Sequence, residues 1–165
     1  MNDEVLAQLG YQKVKNTPYY DIKKIEDGTI VTNLEIPATF QDNENKKYKI
    51  IAIGNSAFKS CSSLQSITIP DSVTHIGNNA FCNCTSLTSL TFEKNSKLES
   101  IGVKAFYNCG YSNNTANLTL DIPDSVTSIG VYAFHNLAEI TYDPTKMTAT
   151  TGYPWGAKKV NGVEQ

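Results

Sequence analysis

Apolar residues recur along the chain in short clusters with the spacing apolar-x-x-apolar-x-apolar. Leu64-x-x-Ile67-x-Ile69 and Leu87-x-x-Leu90-x-Phe92 are the clearest. The last three positions alternate, as in a short strand with one face turned inward. Pro70 and Pro123 close two such strands, because proline brings no donor to a ladder. Asp71-Ser72 and Asp124-Ser125 follow, and short polar side chains of this kind bond nearby backbone in turns. Val73-x-x-Ile76-Gly77 predicts a second short extended piece, with Gly77 taking a backbone angle that other residues resist. Asn78-Asn79-Ala80-Phe81 predicts a single helical or 3₁₀ turn whose Ala packs close and whose Phe fills the interior.

These pieces repeat. Ile53-Gly54-Asn55-Ser56-Ala57-Phe58 returns as Ile76-Gly77-Asn78-Asn79-Ala80-Phe81, then as Ile101-Gly102-Val103-Lys104-Ala105-Phe106, then as Ile129-Gly130-Val131-Tyr132-Ala133-Phe134. In phase with them run Leu34-Glu35-Ile36-Pro37, Ile67-Thr68-Ile69-Pro70, Leu90-Thr91-Phe92 and Leu120-Asp121-Ile122-Pro123, with a degenerate copy at Ile140-Thr141-Tyr142-Asp143-Pro144. A period of about two dozen residues fits a stacked solenoid. The position three residues after each Phe holds Cys61, Cys84, Cys109 and then Leu137. A slot that accepts leucine wants an apolar side chain, and buried Cys behaves as a small hydrophobe. Three of the four thiols are therefore expected in a core column.

With an I-x-I-P strand, a V-x-x-I-G segment and an A-F-x-x-C turn, the units resemble leucine-rich repeats of the BspA-like type over roughly residues 34 to 142. The resemblance implies a mostly-β repeat solenoid: a short right-handed array with short strands, single helical turns, a hairpin N-cap and an irregular C-cap. Residues 1–165 then form one leucine-rich-repeat domain, with 1–36 as N-terminal cap and first strand, 34–142 as repeats and 143–165 as C-terminal cap. Two departures stand out. Pro-Asp-Ser occupies the place where the general leucine-rich pattern has Asn or Cys, so the familiar asparagine ladder is not expected. The third unit follows its strand with Glu93-Lys94-Asn95-Ser96-Lys97 instead of proline, and an insertion, residues 110–117, comes after Cys109. Such an insertion is expected to bulge from one face.

Terminal units must cover the open ends of a solenoid. Residues 19 to 36 read as a hairpin turning at Asp27-Gly28, Asp3 to Leu9 as a short helix, and Gln41 to Lys47 as a polar loop. Trp155, the single tryptophan, has two readings. Its ring covers the last unit, or it is an exposed aromatic contact for a partner.

Composition narrows the function. At 165 residues the chain can bury a sizeable core. A formal charge of -2 gives it no electrostatic reason to seek nucleic acid. Lys46-Lys47 and Lys158-Lys159 are too short to form a basic patch. No run approaches ~18 apolar residues, so no spanning helix and no membrane insertion by this segment are expected. The polar N-terminus lacks the pattern of a signal peptide. Either the chain stays inside the cell, or it is a mature fragment with an added Met1.

Catalytic patterns are missing: there is no nucleotide loop, no H-E-x-x-H and no G-x-S-x-G. His75 and His135 occupy variable polar slots and read as surface or edge side chains. Cys82 occupies the variable slot after Phe81, so it reads as a partly exposed thiol; with Cys84 it supplies two thiolates where structural zinc takes four ligands. Asp71, Asp124 and Asp143 are turn positions, not an acid/base pair. The N-x-[ST] sequons at Asn83, Asn113 and Asn117 are within what chance gives a chain rich in Asn and Thr. The reading is no enzyme, no metal and no cofactor.

The outward positions of the strands remain: Glu35, Ser66, Thr68, Ser89, Thr91, Thr119, Asp121, Glu139 and Thr141. They form a polar, mildly acidic face with hydroxyls in register. The expected function is a non-enzymatic module binding a protein or glycan. Adhesion or host recognition at a cell surface is what the family resemblance implies. The alternative is an intracellular protein–protein scaffold.

Overall fold

A computed structural model describes residues 11–13, 19–22, 32–41, 45–146 and 155–165. Along the chain the strands are β1 (Tyr11–Lys13), β2 (Tyr19–Ile22), β3 (Asn33–Glu35), β4 (Thr39–Gln41), β5 (Lys47–Ile53), β6 (Ser66–Ile69), β7 (His75–Ile76) and β8 (Ser89–Phe92). They continue with β9 (Ser100–Ile101), β10 (Tyr111–Ser112), β11 (Thr115–Ala116), β12 (Thr119–Asp121), β13 (Ser128–Ile129), β14 (Glu139–Thr141), β15 (Lys159–Val160) and β16 (Val163–Glu164). No helix occurs among the described residues.

Each turn of the solenoid has three sides. On the first, β3, β6 and β8 pair in parallel, then β12, β14 and β15 do the same. Leu34, Ile67 and Leu90 stand in register there, as do Leu120, Ile140 and Val160. On the second side β5, β7, β9 and β13 align Ile53, Ile76, Ile101 and Ile129. The third side carries the Ala-Phe segment. It consists of successive tight turns with i→i+3 bonds, where the sequence reading expected one helical or 3₁₀ turn. In the first unit Ala57 N–H donates to Gly54 O and Cys61 N–H to Phe58 O. Ser56 and Ser60 take φ of 58° and 63°, a left-handed conformation that ends any helical run. Neighbouring turns bond in parallel: Phe58 N–H to Ala80 O, Phe81 N–H to Ala105 O, Phe106 N–H to Ala133 O.

The interior is a column of rings. Phe58, Phe81, Phe106 and Phe134 are fully buried and stack in succession. Trp155 continues the column edge-on to Phe134 at 6.2 Å, and its carbonyl accepts from Phe134 N–H as Ala133 does from Phe106. Only 1% of Trp155 is exposed. The ring covers the last unit, and the alternative of an exposed aromatic contact is overturned.

Beside the rings, Cys84 and Cys109 are buried, and each thiol donates to the phenylalanine carbonyl one unit earlier: Cys84 Sγ to Phe58 O at 3.0 Å, Cys109 Sγ to Phe81 O at 2.8 Å. Cys61, at the start of the column, is only half-buried. Cys82 departs from expectation. It is 6% exposed, and burial raises its thiol pKa against the pull of Lys59 and Lys104. None of the four cysteines is in a disulfide.

Three further expectations change. First, an asparagine ladder that the sequence reading did not foresee runs along the turn side, away from the strand ends. Asn136 Nδ2 donates to Asn108 Oδ1 at 2.9 Å, and Asn108 Nδ2 to Asn83 Oδ1 at 3.0 Å. On a separate row the main-chain N–H of Asn78 donates to Asn55 Oδ1. Second, the glycines after Ile76, Ile101 and Ile129 answer to crowding. A Cβ on Gly102 would lie 2.6 Å from Asn78 N and 2.6 Å from Gly77 C. The left-handed angles fall two residues later, on Ser56, Asn79, Lys104 and Tyr132. Third, β2 and β3 do not form a hairpin with each other: β2 pairs with β1 and β5, and β3 with β6. The Asp27-Gly28 turn and the Asp3–Leu9 helix lie outside the described residues. Gln41 and Lys47 close an antiparallel β4–β5 pair.

Candidate functional site

The first side of the solenoid places the outward strand residues in two rows. Ser66 and Ser89 stand in register, as do Glu35, Thr68 and Thr91. Further along, Thr119 pairs with Glu139 and Asp121 with Thr141. Ser89, Thr91, Glu35, Thr119 and Asp121 are exposed; Ser66, Thr68, Glu139 and Thr141 are half-buried. Thr141 Oγ1 donates to Asp121 Oδ1 at 2.9 Å, and Glu139 Oε1 accepts from Gly162 N–H.

These rows are not continuous. β8 and β12 belong to separate sheets, so the ladder breaks between the third and fourth units. The break is confined to this side. Across the same junction β9 pairs with β13, and Phe106 N–H reaches Ala133 O. The ring column registers the difference. Centroid spacing and interplanar angle are 5.0 Å and 1° for Phe58–Phe81 and 5.2 Å and 3° for Phe81–Phe106, but 5.9 Å and 13° for Phe106–Phe134. The fourth unit is tilted on the third, hinged at the turn side and open at the strand side.

A cleft of ≈ 860 Å³ occupies the opening. Leu90 to Glu93, Asn95 and Ser96 form one wall, and Thr119 with Asp121 to Ser125 the other, while Asp143 stands at the edge. The walls meet again where Ser125 Oγ donates to Ser96 O and Leu98 O, at 3.0 and 2.8 Å. Of the expected face residues, Thr91, Thr119 and Asp121 line the cleft and the others lie along the rows beside it.

Four carboxylates surround the opening. Glu93 Oε2 accepts from Asp71 N–H at 3.1 Å. Asp124 and Asp143 share Lys146, at 3.0 and 3.1 Å. Hydrogen bonds from Thr145, backed by Lys146, lower the Asp143 pKa to about 2, and the two aspartates raise that of Lys146. Asp121 Oδ2 has no protein partner among the described residues. Among those residues, no group of three or more His, Cys, Asp or Glu side chains is placed to hold a metal ion. Nor is any helix long and apolar enough to cross a membrane.

Two sequence irregularities coincide at this junction. The third unit replaces Pro-Asp-Ser with Glu93–Lys97, and the insertion enters just before β12. The insertion is a compact hairpin, β10–β11, turning through Asn113 and Asn114 with φ of 48° and 61°. Positive φ at both central residues is the type I′ pattern that asparagine tolerates. Glu93, Asn95, Ser96 and Asp124 were not singled out by the strand alternation. The departure at residues 93–97 marks the location of the first three, and Asp124 faces them from the regular Pro-Asp-Ser turn of the next unit.

A solenoid with parallel short strands, stacked phenylalanines and an asparagine ladder is a leucine-rich-repeat fold. The BspA-type leucine-rich repeat region matches residues 51–151 in six copies, and the chain belongs to that family. Among solved structures it is similar to a leucine-rich repeat protein from Bacteroides capillosus (22% identity, 96% of this chain and 91% of that one, TM-score 0.64). It is also similar to one from Bacteroides ovatus (25%, 93% and 39%, 0.65). A leucine-rich cell surface protein from Faecalibacterium prausnitzii is a further structural neighbour (24%, 93% and 48%, 0.58). Comparison with curated proteins gives no match.

Proposed function

We propose that the chain is a non-enzymatic recognition module that binds a protein or glycan through its strand side, in the setting of a cell surface. The family supports a protein-binding repeat module. The neighbour from F. prausnitzii supports the surface setting by its description, and adhesion is the activity inferred from it. One observation carries the choice of side: the polar rows of the strands converge on an open cleft of ≈ 860 Å³. A cleft of this volume is large enough to receive a ligand segment.

The test immobilises the whole chain and screens soluble matrix proteins and a glycan array. Any ligand found is then measured against the triple variant Glu35→Lys, Asp121→Lys, Glu139→Lys. These charges lie on one side, so affinity is expected to fall by roughly tenfold or more. Unchanged affinity in the triple variant places recognition elsewhere.

A further inference from the structure

We infer that the turn side of the third and fourth units is a second interaction surface, fitted to an acidic segment of a protein partner whose carboxylates stand among apolar side chains. This surface lies on another side of the solenoid from the strand rows and does not depend on them.

One strained residue marks the place. The position two after each repeat glycine takes a left-handed angle, and it holds Ser56, Asn79, Lys104 and Tyr132. Asparagine tolerates that angle, whereas tyrosine at φ 56° is an outlier for a bulky side chain. Tyr132 is 54% exposed, so it gives the core little in return. Backbone strain held without a packing gain points to a contact outside the chain.

Its neighbours share the exposure. The position before it holds Asn55, Asn78, Val103 and Val131, and both valines are exposed. With Tyr132 they are three of the four exposed large apolar side chains among the described residues. Parallel bonds set them side by side: Lys104 N–H donates to Val131 O, and Asn108 N–H to His135 O. Tyr107 stacks on His135 at 4.8 Å, and Tyr132 meets the same imidazole edge-on at 5.8 Å. The first two units carry only Asn and Ser at the matching positions, so the apolar surface is confined to the third and fourth. Scattered apolar residues need no explanation, but a contiguous patch marks a site of interaction.

Charge then names the occupant. Residues 54–63, 77–87, 102–109 and 130–137, which form this side, contain no Asp or Glu. They contain Lys59 and Lys104, and both act on the thiol of Cys82, one unit from each. Lys104 Nζ also stands 5.5 Å over the Tyr107 ring. No carboxylate among the described residues pairs with either lysine. The strand side is the reverse, with Glu35, Asp121 and Glu139 along it and Glu93, Asp124 and Asp143 where it ends. An acidic segment is thus attracted to one side and repelled by the other. The valines and tyrosines select apolar side chains beside its carboxylates. A glycan finds no hydrogen-bonding group on Val103 or Val131. The strand side of a second copy offers carboxylates and hydroxyls without apolar neighbours.

The whole chain serves as bait for a random peptide library. The counter-bait is the variant Val103→Asn, Lys104→Asn, Val131→Asn, Tyr132→Asn, which gives both units the residues that the second unit carries as Asn78 and Asn79. Asparagine accepts the left-handed angle, so the variant is expected to melt no lower than the parent. Peptides held by the chain and lost on the variant are expected to combine Asp or Glu with Leu, Phe or Tyr. A synthetic peptide of that class is expected to weaken with salt and to lose roughly tenfold in affinity on Lys104→Glu. It is also expected to shift amides of 103–108 and 131–136 in the unaltered chain, an arm independent of any effect of the substitutions on folding.

Four results overturn the assignment: no peptide that depends on the patch, dependent peptides without acidic residues, shifts confined to the strand side, or a glycan-array signal that the variant loses. Concentration-dependent self-association of the chain, abolished in the variant, makes a second copy the occupant and overturns it too. The strand-side reading fails separately. Peptide binding here is expected to survive the Glu35, Asp121 and Glu139 reversals, which weaken only a ligand of the strand rows.

Discussion

At the scale of single residues, the fold depends on a few side chains that recur in register. Phe81 lies between Phe58 and Phe106, parallel to both within 3° and fully buried. Phe81→Ala leaves a cavity between two rings that the ladder bonds hold apart, and a loss of about 3–5 kcal/mol in urea unfolding is expected. An unchanged midpoint would refute the stacked column. The cysteines give a second residue-level test. Cys84, Cys109 and Cys82 are buried, and burial raises Cys109 well above the ordinary thiol value. Protonated, enclosed thiols react slowly. A thiol reagent is expected to label half-buried Cys61 first, and Cys61→Ser to remove the fastest phase. A fast phase that survives in that variant and disappears in Cys82→Ser would reverse the order. Asp143 gives a third. Its folded pKa is lowered from 3.8 to about 2, so the stabilisation is present above the unfolded value and is lost as pH falls through the folded one. The difference in thermal midpoint between the chain and Asp143→Asn is expected to hold above pH ~4 and to close between ~4 and ~2. A difference independent of pH would contradict it. The interior phenylalanines were legible because the repeat names them. The burial of Cys82 was not, because a slot that also holds Lys59, Tyr107 and His135 carries no apolar signal.

At the scale of elements, strand positions were legible and turn types were not. Alternation about Ile67 and Ile69 marks β6, and the same alternation marks β8 and β12. The Ala-Phe segment has no such period. Its left-handed pairs, Asn79 with Asn83 and Lys104 with Asn108, are set by the parallel bonds between units. Lys104 and Tyr132 accept an angle that their own side chains disfavour. Asn161-Gly162 between Val160 and Val163 is a strong hairpin signal, and it turns β15 into β16 with positive φ at both residues. Gly102 tests whether the units are as closely stacked as they look. A methyl group there meets backbone atoms of Gly77 and Asn78. Although Gly→Ala usually stiffens the unfolded chain favourably, Gly102→Ala is expected to destabilise by about 1–3 kcal/mol. A neutral or stabilising result would mean that the turns slide apart at little cost.

At the scale of the whole molecule, a solenoid's stability is a sum of unit terms and junction terms, because each unit touches only its neighbours. The third-to-fourth junction has lost one of its three ladders and has the widest spacing between phenylalanine rings, 5.9 Å. Its remaining ties are the β9–β13 pairing, the turn-side bonds and the Ser125 hydroxyl on Ser96 and Leu98. The weakest junction is thus the one that carries the cleft. Low local stability is where binding segments are commonly found, since opening there costs less than elsewhere. Sequence reasoning located the two irregular segments but not the cleft, which depends on how a unit tilts when its side of the ladder fails. Native-state hydrogen exchange reads this directly. Amides of Leu90, Phe92, Thr119 and Asp121, which have no partner across the cleft, are expected to exchange at rates near those of exposed loops. Amides bonded across intact junctions, such as Phe58, Phe81 and Gly102, are expected to exchange only through global or subglobal opening. Protection of Leu90 and Thr119 equal to that of Phe81 would mean that the ladder closes in solution and that no cleft exists.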